Sequence, residues 1–267
     1  MKKILITGAA GNVGKVIWQS LKGRGFSLRL ADIINIDGLD NDKDVEFIHM
    51  DILDLEKLQK AMQGIDCVIH LAAIPRDVAW DKLEAINIHG TYNIFEAARK
   101  QKVKRVIFAS TNQVIGFYRN DRIIDNEVYP RPASFYGVTK VCGEALARLY
   151  SDKYGIEVAC LRIGSLEERP TEMRHLSTWL SYRDLVQLVV KCIEGKYHFI
   201  IIYGVSANTR SHWNNAAAKK IGYLPEDNAE MYAGDLSLKE VRNEIGKQFQ
   251  GGQFCSADFC GDSATID

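Results

Sequence analysis

The sequence has no excess of charge, no C-x-x-C pair, no proline- or serine-rich linker, no internal repeat and no apolar run long enough to cross a bilayer. Thirty-four Lys and Arg balance thirty-four Asp and Glu over 267 residues, so no long-range field gathers DNA, RNA or an anionic membrane surface. The greasiest stretches, 185–190 and 199–203, are core-sized, which excludes a transmembrane helix. Met1-Lys2-Lys3-Ile4-Leu5-Ile6 reaches Thr7 and Gly8 before a secretory apolar region can form, and a cytoplasmic location is expected. Cys67, Cys142, Cys160, Cys192, Cys255 and Cys260 mostly sit in apolar segments, where a free thiol behaves as a small hydrophobe. Cys255 and Cys260 are close in sequence, but no His lies near them, so no metal site is expected.

What is present is a globular composition, 46% hydrophobic and 25% charged, enough for a sizeable core. Short β-branched runs alternate with longer amphipathic stretches. Residues 3–7, 27–31, 45–50, 67–72, 105–110 and 158–163 read as strands, with room for a crossover helix between most of them. Val16, Ile17 and Leu21, and later Leu83, Ile86, Ile94, Ala97 and Ala98, have the helical period. The expected fold is α/β, a Rossmann-type doubly wound parallel sheet. Residues 1–165 are expected to form the core that carries the chemistry. Residues 166–267 are expected to form a small capping lobe within the same structural unit, with a tail after Gly251-Gly252 that docks loosely or on a neighbouring subunit.

Thr7-Gly8-Ala9-Ala10-Gly11-Asn12-Val13-Gly14 follows the first strand and opens the first helix. Its backbone N–H groups and the helix N-terminus suit a pyrophosphate, and Gly8, Gly11 and Gly14 leave room for it. The spacing is G-x-x-G-x-x-G, which by itself also fits a tight strand-to-helix corner. Asp32, eighteen residues past Gly14 and followed by Ile33 with no Arg nearby, supplies a carboxylate for ribose hydroxyls and repels a 2′-phosphate, favouring NAD over NADP. Asp51-Ile52 is placed to meet an adenine, and Leu71-Ala72-Ala73 offers small residues where a flat cofactor passes.

Tyr136 and Lys140 lie one helical turn apart on one face. An ammonium there is expected to lower the phenol's pKa and make Tyr136 a usable base for a hydroxyl that loses hydride. In a chain with 11 Tyr such a pair also arises by chance; its position after the strand ending in Ser110-Thr111 gives it meaning. Thr111, Tyr136 and Lys140 form a candidate triad.

The glycine loop, Asp32, Asp51, Asn87, Thr111 and the Tyr136/Lys140 pair, in this order, resemble an extended-type short-chain dehydrogenase/reductase of the NAD-dependent epimerase/dehydratase superfamily. Asn112, Arg162–Ser165, Arg174–Trp179, Ser206–Asn208, Asp227–Glu230 and Phe249–Gly252 resemble NAD-dependent uronate dehydrogenases over nearly the whole chain. The resemblance implies oxidation of the C1 hydroxyl of a cyclic hexuronate to an aldarolactone with NAD. Tyr136 is then the base, Thr111 orients the C1 oxygen, and Lys140 binds the nicotinamide ribose. Asn87 lies with the cofactor residues, Asn112, Gln113 and Ser165 touch sugar hydroxyls, and Arg174 holds the carboxylate. A homo-oligomer is implied as well. Pro75 and Gln113 depart from the pattern, standing where serine and histidine are usual, and Thr111 replaces a serine. Three alternatives remain open: a dehydrogenase of another aldose or a sugar phosphate, which a guanidinium also suits; a nucleotide-sugar epimerase; and an NAD-binding regulator. An epimerase needs a larger C-terminal domain, and a dehydratase needs an acid where Asn112 and Gln113 stand.

Overall fold

A computed structural model describes residues 1–39, 43–234, 238–239 and 243–267. Seven strands, β1 (Lys2–Thr7), β2 (Phe26–Asp32), β3 (Val45–His49), β4 (Cys67–His70), β5 (Arg105–Thr111), β6 (Glu157–Ile163) and β7 (Phe199–Gly204), form one sheet in the order β3-β2-β1-β4-β5-β6-β7. The order runs outward in both directions from β1, as in a doubly wound sheet. Pairing is parallel from β3 through β5, with Lys2 opposite Phe26, Ile4 opposite Cys67 and Cys67 opposite Arg105. The β4 run expected to reach Ala72 stops at His70. The Leu71 N–H still donates to Thr7 O at 3.1 Å, after which the chain leaves the ladder.

Central strands buried on both faces need continuous apolar runs. Ile4, Leu5, Ile6, Val68, Ile69, Val106, Ile107 and Phe108 are each buried to completion, and each such side chain contributes about 1.5–3 kcal/mol. Helix α1 (Asn12–Leu21) buries Ile17, Trp18 and Leu21, α2 (Leu55–Ala61) buries Leu58, and α3 (Gly90–Lys100) buries Ile94, Phe95, Ala97 and Ala98. A π-helical stretch, Glu84–His89, precedes α3.

The described residues divide into two compact units: 1–109 with 142–160 and 192–200, and 110–141 with 161–191 and 201–267. The division does not follow the expected boundary at 165. Residues 110–141, with Thr111 and Tyr136, group with the C-terminal residues, because the connections that follow strand ends fold together rather than in sequence order. The second unit has its own apolar clusters. One holds Val114, Ile115, Ile124, Tyr203, Val205 and Trp213, with the Tyr203 and Trp213 rings stacked at 5.1 Å. Another holds Leu176, Trp179, Ala229 and Leu238, and a third Ala133, Phe249 and Cys255. The tail is not loose. Gly251 N–H donates to Gly116 O at 2.8 Å, and the Arg119 guanidinium donates to Ser263 O and Ile266 O at 2.7 and 2.9 Å. Cys255 is buried with its thiol on Gly116 O, whereas Cys260 is exposed. Among the described residues no three His, Cys, Asp or Glu side chains group as a metal site, and no helix is long and apolar enough to cross a membrane.

Candidate active site

In the first unit a loop is built by what its residues omit. Gly8 has φ +73°, and a β-carbon there would lie 2.6 Å from Ala72 N and 2.8 Å from Leu71 C. One at Gly14 would lie 2.4 Å from Gly8 O. Neither backbone neighbour can yield, so glycine is required at both positions. At Gly11 the demand is milder, 3.3 Å from Gly8 O. Gly11 is the N-cap of α1, with no side-chain cap bond and no acid in the first turn. No capping side chain therefore competes with an anion for the first N–H groups, beside exposed Asn12 and half-buried Val13.

Asp32 is tied to this loop. Its carboxylate accepts Ala10 N–H at 2.9 Å and Ile34 N–H at 3.0 Å. A carboxylate has about four acceptor positions, so capacity remains for two ribose hydroxyls. Ile33 is exposed beside it. Asp51 accepts Leu53 N–H at 2.9 Å and is exposed. The Ile52 side chain is buried against Gly90, where a β-carbon would lie 2.5 Å from its Cδ1, which leaves only its main chain for an adenine. Leu71, Ala72 and Ala73 are half-buried beside Gly8. Asn87, expected at the cofactor, holds the protein's own main chain: its carboxamide accepts Ile74 N–H at 2.8 Å and donates to Ile74 O at 3.0 Å. A carboxamide and a peptide unit are complementary in this two-bonded way, and the buried residue fixes the segment after β4.

The second unit brings Thr111, Asn112, Gln113, Tyr136 and Lys140 together. Thr111 ends β5 and caps a 3₁₀ turn, Asn112–Ile115, through Gln113 N–H at 3.3 Å. Tyr136 is hydrogen-bonded to the Thr111 side chain. Asn112 Oδ1 accepts the Thr111 hydroxyl at 3.4 Å, while its buried Nδ2 has no partner among the described residues. A sealed donor without an acceptor is costly, about 1–3 kcal/mol, and becomes favourable once an oxygen meets it.

Helix α4 (Phe135–Tyr154) is seated on the 3₁₀ turn by residues outside the sequence motifs. Ser134 Oγ donates to Gln113 Oε1 and accepts Gly137 N–H at 2.9 Å; Ser134 O accepts Val138 N–H at 3.0 Å. A β-carbon at Gly137 would lie 2.9 Å from Gln113 O, so only glycine lets the helix approach this closely. A Ser two residues before Tyr is an N-cap signal that sequence could have supplied. The Gln113 carbonyl, expected to touch sugar, thus holds Ser134, and its Nε2 is left without a partner among the described residues.

Burial overrides the expected electrostatics of the pair. Lys140 Nζ lies 5.8 Å from the Tyr136 ring centroid, and both side chains are over nine-tenths buried. Desolvation pushes the Lys140 ammonium down to about 7 and pushes the Tyr136 phenol well above its usual range, with only the Thr111 bond opposing. Removing two ionisable groups from water costs more than their attraction at this distance restores.

Ser165 and Arg174 meet through Thr178, which the sequence did not single out. Thr178 Oγ1 donates to Arg174 O at 3.3 Å and lies 2.9 Å from Ser165 Oγ. Gly164 makes room, since a β-carbon there would lie 2.1 Å from Thr178 O. Arg174 Nε and Nη2 donate to Gln250 O at 3.2 and 3.1 Å, and among the described residues no acid forms an ion pair with it. The guanidinium borders a cavity of about 390 Å³ lined also by Asn120, Met173, His212, Lys247 and Phe249. Burial and the Arg174 charge hold His212 below its usual range.

Comparison with known proteins agrees with this geometry. The model of the NAD dependent epimerase/dehydratase family matches residues 4–199. A uronate dehydrogenase of Pseudomonas putida is 39% identical over 259 residues, 96% of this chain and 96% of that protein. An NAD-dependent glucose-6-phosphate dehydrogenase of Haloferax volcanii is 37% identical over 246 residues, 85% of this chain and 94% of that protein. The crystal structure of uronate dehydrogenase from Agrobacterium tumefaciens is similar with a TM-score of 0.90 at 35% identity, covering 96% of this chain and 97% of that one. A mutant of that protein has been solved complexed with NAD.

Proposed function

Because the chain belongs to the NAD dependent epimerase/dehydratase family, we propose that it oxidises the C1 hydroxyl of a cyclic hexuronate, galacturonate or glucuronate, to the aldarolactone. NAD, when bound, would supply the hydride acceptor for oxidation at C1. The loop of Gly8, Gly11 and Gly14, whose close self-packing at Gly8 and Gly14 excludes a β-carbon and which opens α1 without a side-chain cap, and the carboxylate of Asp32 fit its pyrophosphate and adenosine ribose. Thr111 and Tyr136 hold the C1 oxygen; Tyr136 first gives its own phenolic proton up to solvent, a step that burial opposes, and the phenolate oxygen then receives the C1 hydroxyl proton. Lys140 would hold the nicotinamide ribose, and in its protonated form it offsets part of the burial that opposes the phenolate. Asn112 Nδ2, the Gln113 amide and Ser165 meet ring hydroxyls.

The observation that carries this reading is the Tyr136–Thr111 hydrogen bond beside the unpartnered Asn112 donor. It is a ready pair for a hydroxyl that loses a proton, with a vacant donor for a neighbouring oxygen. Arg174, positioned by a neutral carbonyl and without an acid partner, supports an anionic sugar. A sugar phosphate is the second reading, favoured by the same guanidinium and by the likeness to the Haloferax dehydrogenase. Homo-oligomerisation and a cytoplasmic location form part of the proposal; light scattering and fractionation test them.

The test is NADH absorbance after mixing the protein and NAD with D-galacturonate, D-glucuronate, glucose or glucose 6-phosphate separately. Turnover on the uronates alone is expected. Turnover on the phosphate alone moves the substrate and keeps the chemistry; tight NAD binding with no turnover leaves a regulator or an epimerase.

A further inference from the structure

The C-terminal segment Gln250–Gly252 lies 76 residues beyond Arg174 and carries none of the proposed chemistry, yet its bonds converge on that side chain. Gln250 is 2% exposed, and every polar group of its side chain is engaged. Oε1 accepts Trp213 Nε1 at 2.8 Å, and Nε2 donates to Arg119 O and Arg122 O at 3.0 and 2.9 Å. Its N–H donates to Tyr118 O at 2.8 Å. The residue is thereby fixed on four sides, and its one outward group, the main-chain carbonyl, accepts both Nε and Nη2 of Arg174. Two residues on, Gly252 has φ +61°, and a β-carbon there would lie 2.5 Å from Arg174 Cδ and 2.8 Å from Nε. Phe254 then sets its ring 5.8 Å from the guanidinium carbon.

This support is chosen in a telling way. A carboxylate would hold Arg174 more strongly, but it would neutralise the charge. A carbonyl fixes the orientation and leaves a full positive charge, with Nη1 still to donate. The same cavity holds His212, whose charged form burial and the Arg174 charge disfavour.

Resting on the reading of Arg174 as the anion receptor, we propose that the tail segment Gln250–Gly252 determines acid specificity: the Gln250 carbonyl aims the Arg174 guanidinium, and Gly252 leaves the space that its stem occupies. Gln250 and Gly252 are positioning residues that act through Arg174, and the C-terminal segment belongs to the substrate site.

A double-mutant cycle on the full chain tests this, with D-galacturonate as substrate, R174A, G252A and the double variant, and with NAD affinity and thermal midpoint recorded for each. Gly252→Ala is expected to raise KM for galacturonate about tenfold with kcat within about twofold, the signature of lost ground-state binding. In the Arg174→Ala background it is expected to add nothing, and NAD affinity stays at the parent value. Gln250→Leu, which keeps the carbonyl but frees its anchor, is expected to give the same KM pattern even where Gly252→Ala fails to fold. An equal KM rise in the presence and absence of Arg174, or a parallel loss of NAD affinity, overturns the proposal in favour of a merely structural tail. If Arg174→Ala itself leaves KM unchanged, the anion-receptor reading fails first; if Arg174→Ala raises KM and neither tail variant does, only the role of the tail fails.

Discussion

The glycine loop and the Thr111–Tyr136–Arg174 region solve opposite problems. The loop must expose main-chain N–H groups, so it is made by omission: Gly8 and Gly14 are places where a single carbon would meet backbone at 2.6 and 2.4 Å. The second region must aim side chains, so it is made by addition. Ser134, Gln113, Thr178 and Gln250 each supply bonds that hold another residue of the region in place. A backbone site fails all at once when space is lost, whereas a side-chain site degrades in parts, since its supports can be removed singly. The contrast predicts different failures.

The largest effect is expected at the reacting atom. Tyr136→Phe removes the oxygen that receives the proton while keeping the ring, and kcat is expected to fall about 10³-fold with NAD affinity within about twofold. Stopped-flow turnover with NAD fluorescence titration checks both numbers, and near-normal turnover excludes Tyr136 as the base. In the loop, Gly8→Ala is expected to weaken NAD binding and the fold together, with stability down by roughly 2–3 kcal/mol. Urea unfolding alongside NAD titration reads this; loss of affinity at full stability would show that the loop is not rigidly packed on Leu71–Ala72.

The supporting bonds sharpen the comparison from the other side. Ser134→Ala leaves every reacting atom in place and removes only the cap between Gln113 and α4, so kcat is expected to fall about tenfold with KM for NAD unchanged. Ser134→Thr restores most of the rate, because its hydroxyl makes the same two bonds; no recovery would point to a packing fault instead. The smallest expected effect concerns pH. The Lys140 ammonium is held at about 7, below its unfolded value, so the unfolded chain binds more protons between pH 7 and about 10. Measured without NAD, stability therefore rises with pH across that window from this group. Lys140→Met is expected to raise the thermal midpoint most at pH 6 and least near pH 10. A gain independent of pH would mean that the ammonium is not buried.

Much of this was legible from sequence where a local rule governs. The strands were readable because parallel strands covered on both faces must be apolar without interruption, as Ile4-Leu5-Ile6 and Val106-Ile107-Phe108 are. That Asp32 adjoins the glycine loop was readable from its spacing, and that Thr111 and Tyr136 come together from their place after β5. The same reading was incomplete where side chains also bond within the protein. Asn87 has the residue type for a cofactor contact, but its carboxamide is already bonded to Ile74; Gln113 has the type for a sugar contact, but its carbonyl holds Ser134. Lys140 and Tyr136 share a helix face as the i, i+4 spacing demands, yet burial, which spacing does not encode, reverses the expected direction for the phenol.

The sequence by itself determined the sheet, the position of the glycine loop and the identity of the candidate reacting groups. These depend on periodicity, on the absence of a β-carbon and on functional-group chemistry, all of which are properties of residues and their neighbours along the chain. Only the tertiary structure decided that Gln250, 76 residues away, orients Arg174, that Thr178 joins Ser165 to it, and that residues 110–141 pack with the C-terminal part. Such pairings join segments of unrelated local pattern. They are fixed by which donors and acceptors remain unsatisfied when the chain closes on itself, and that is known only once every other group has found its place.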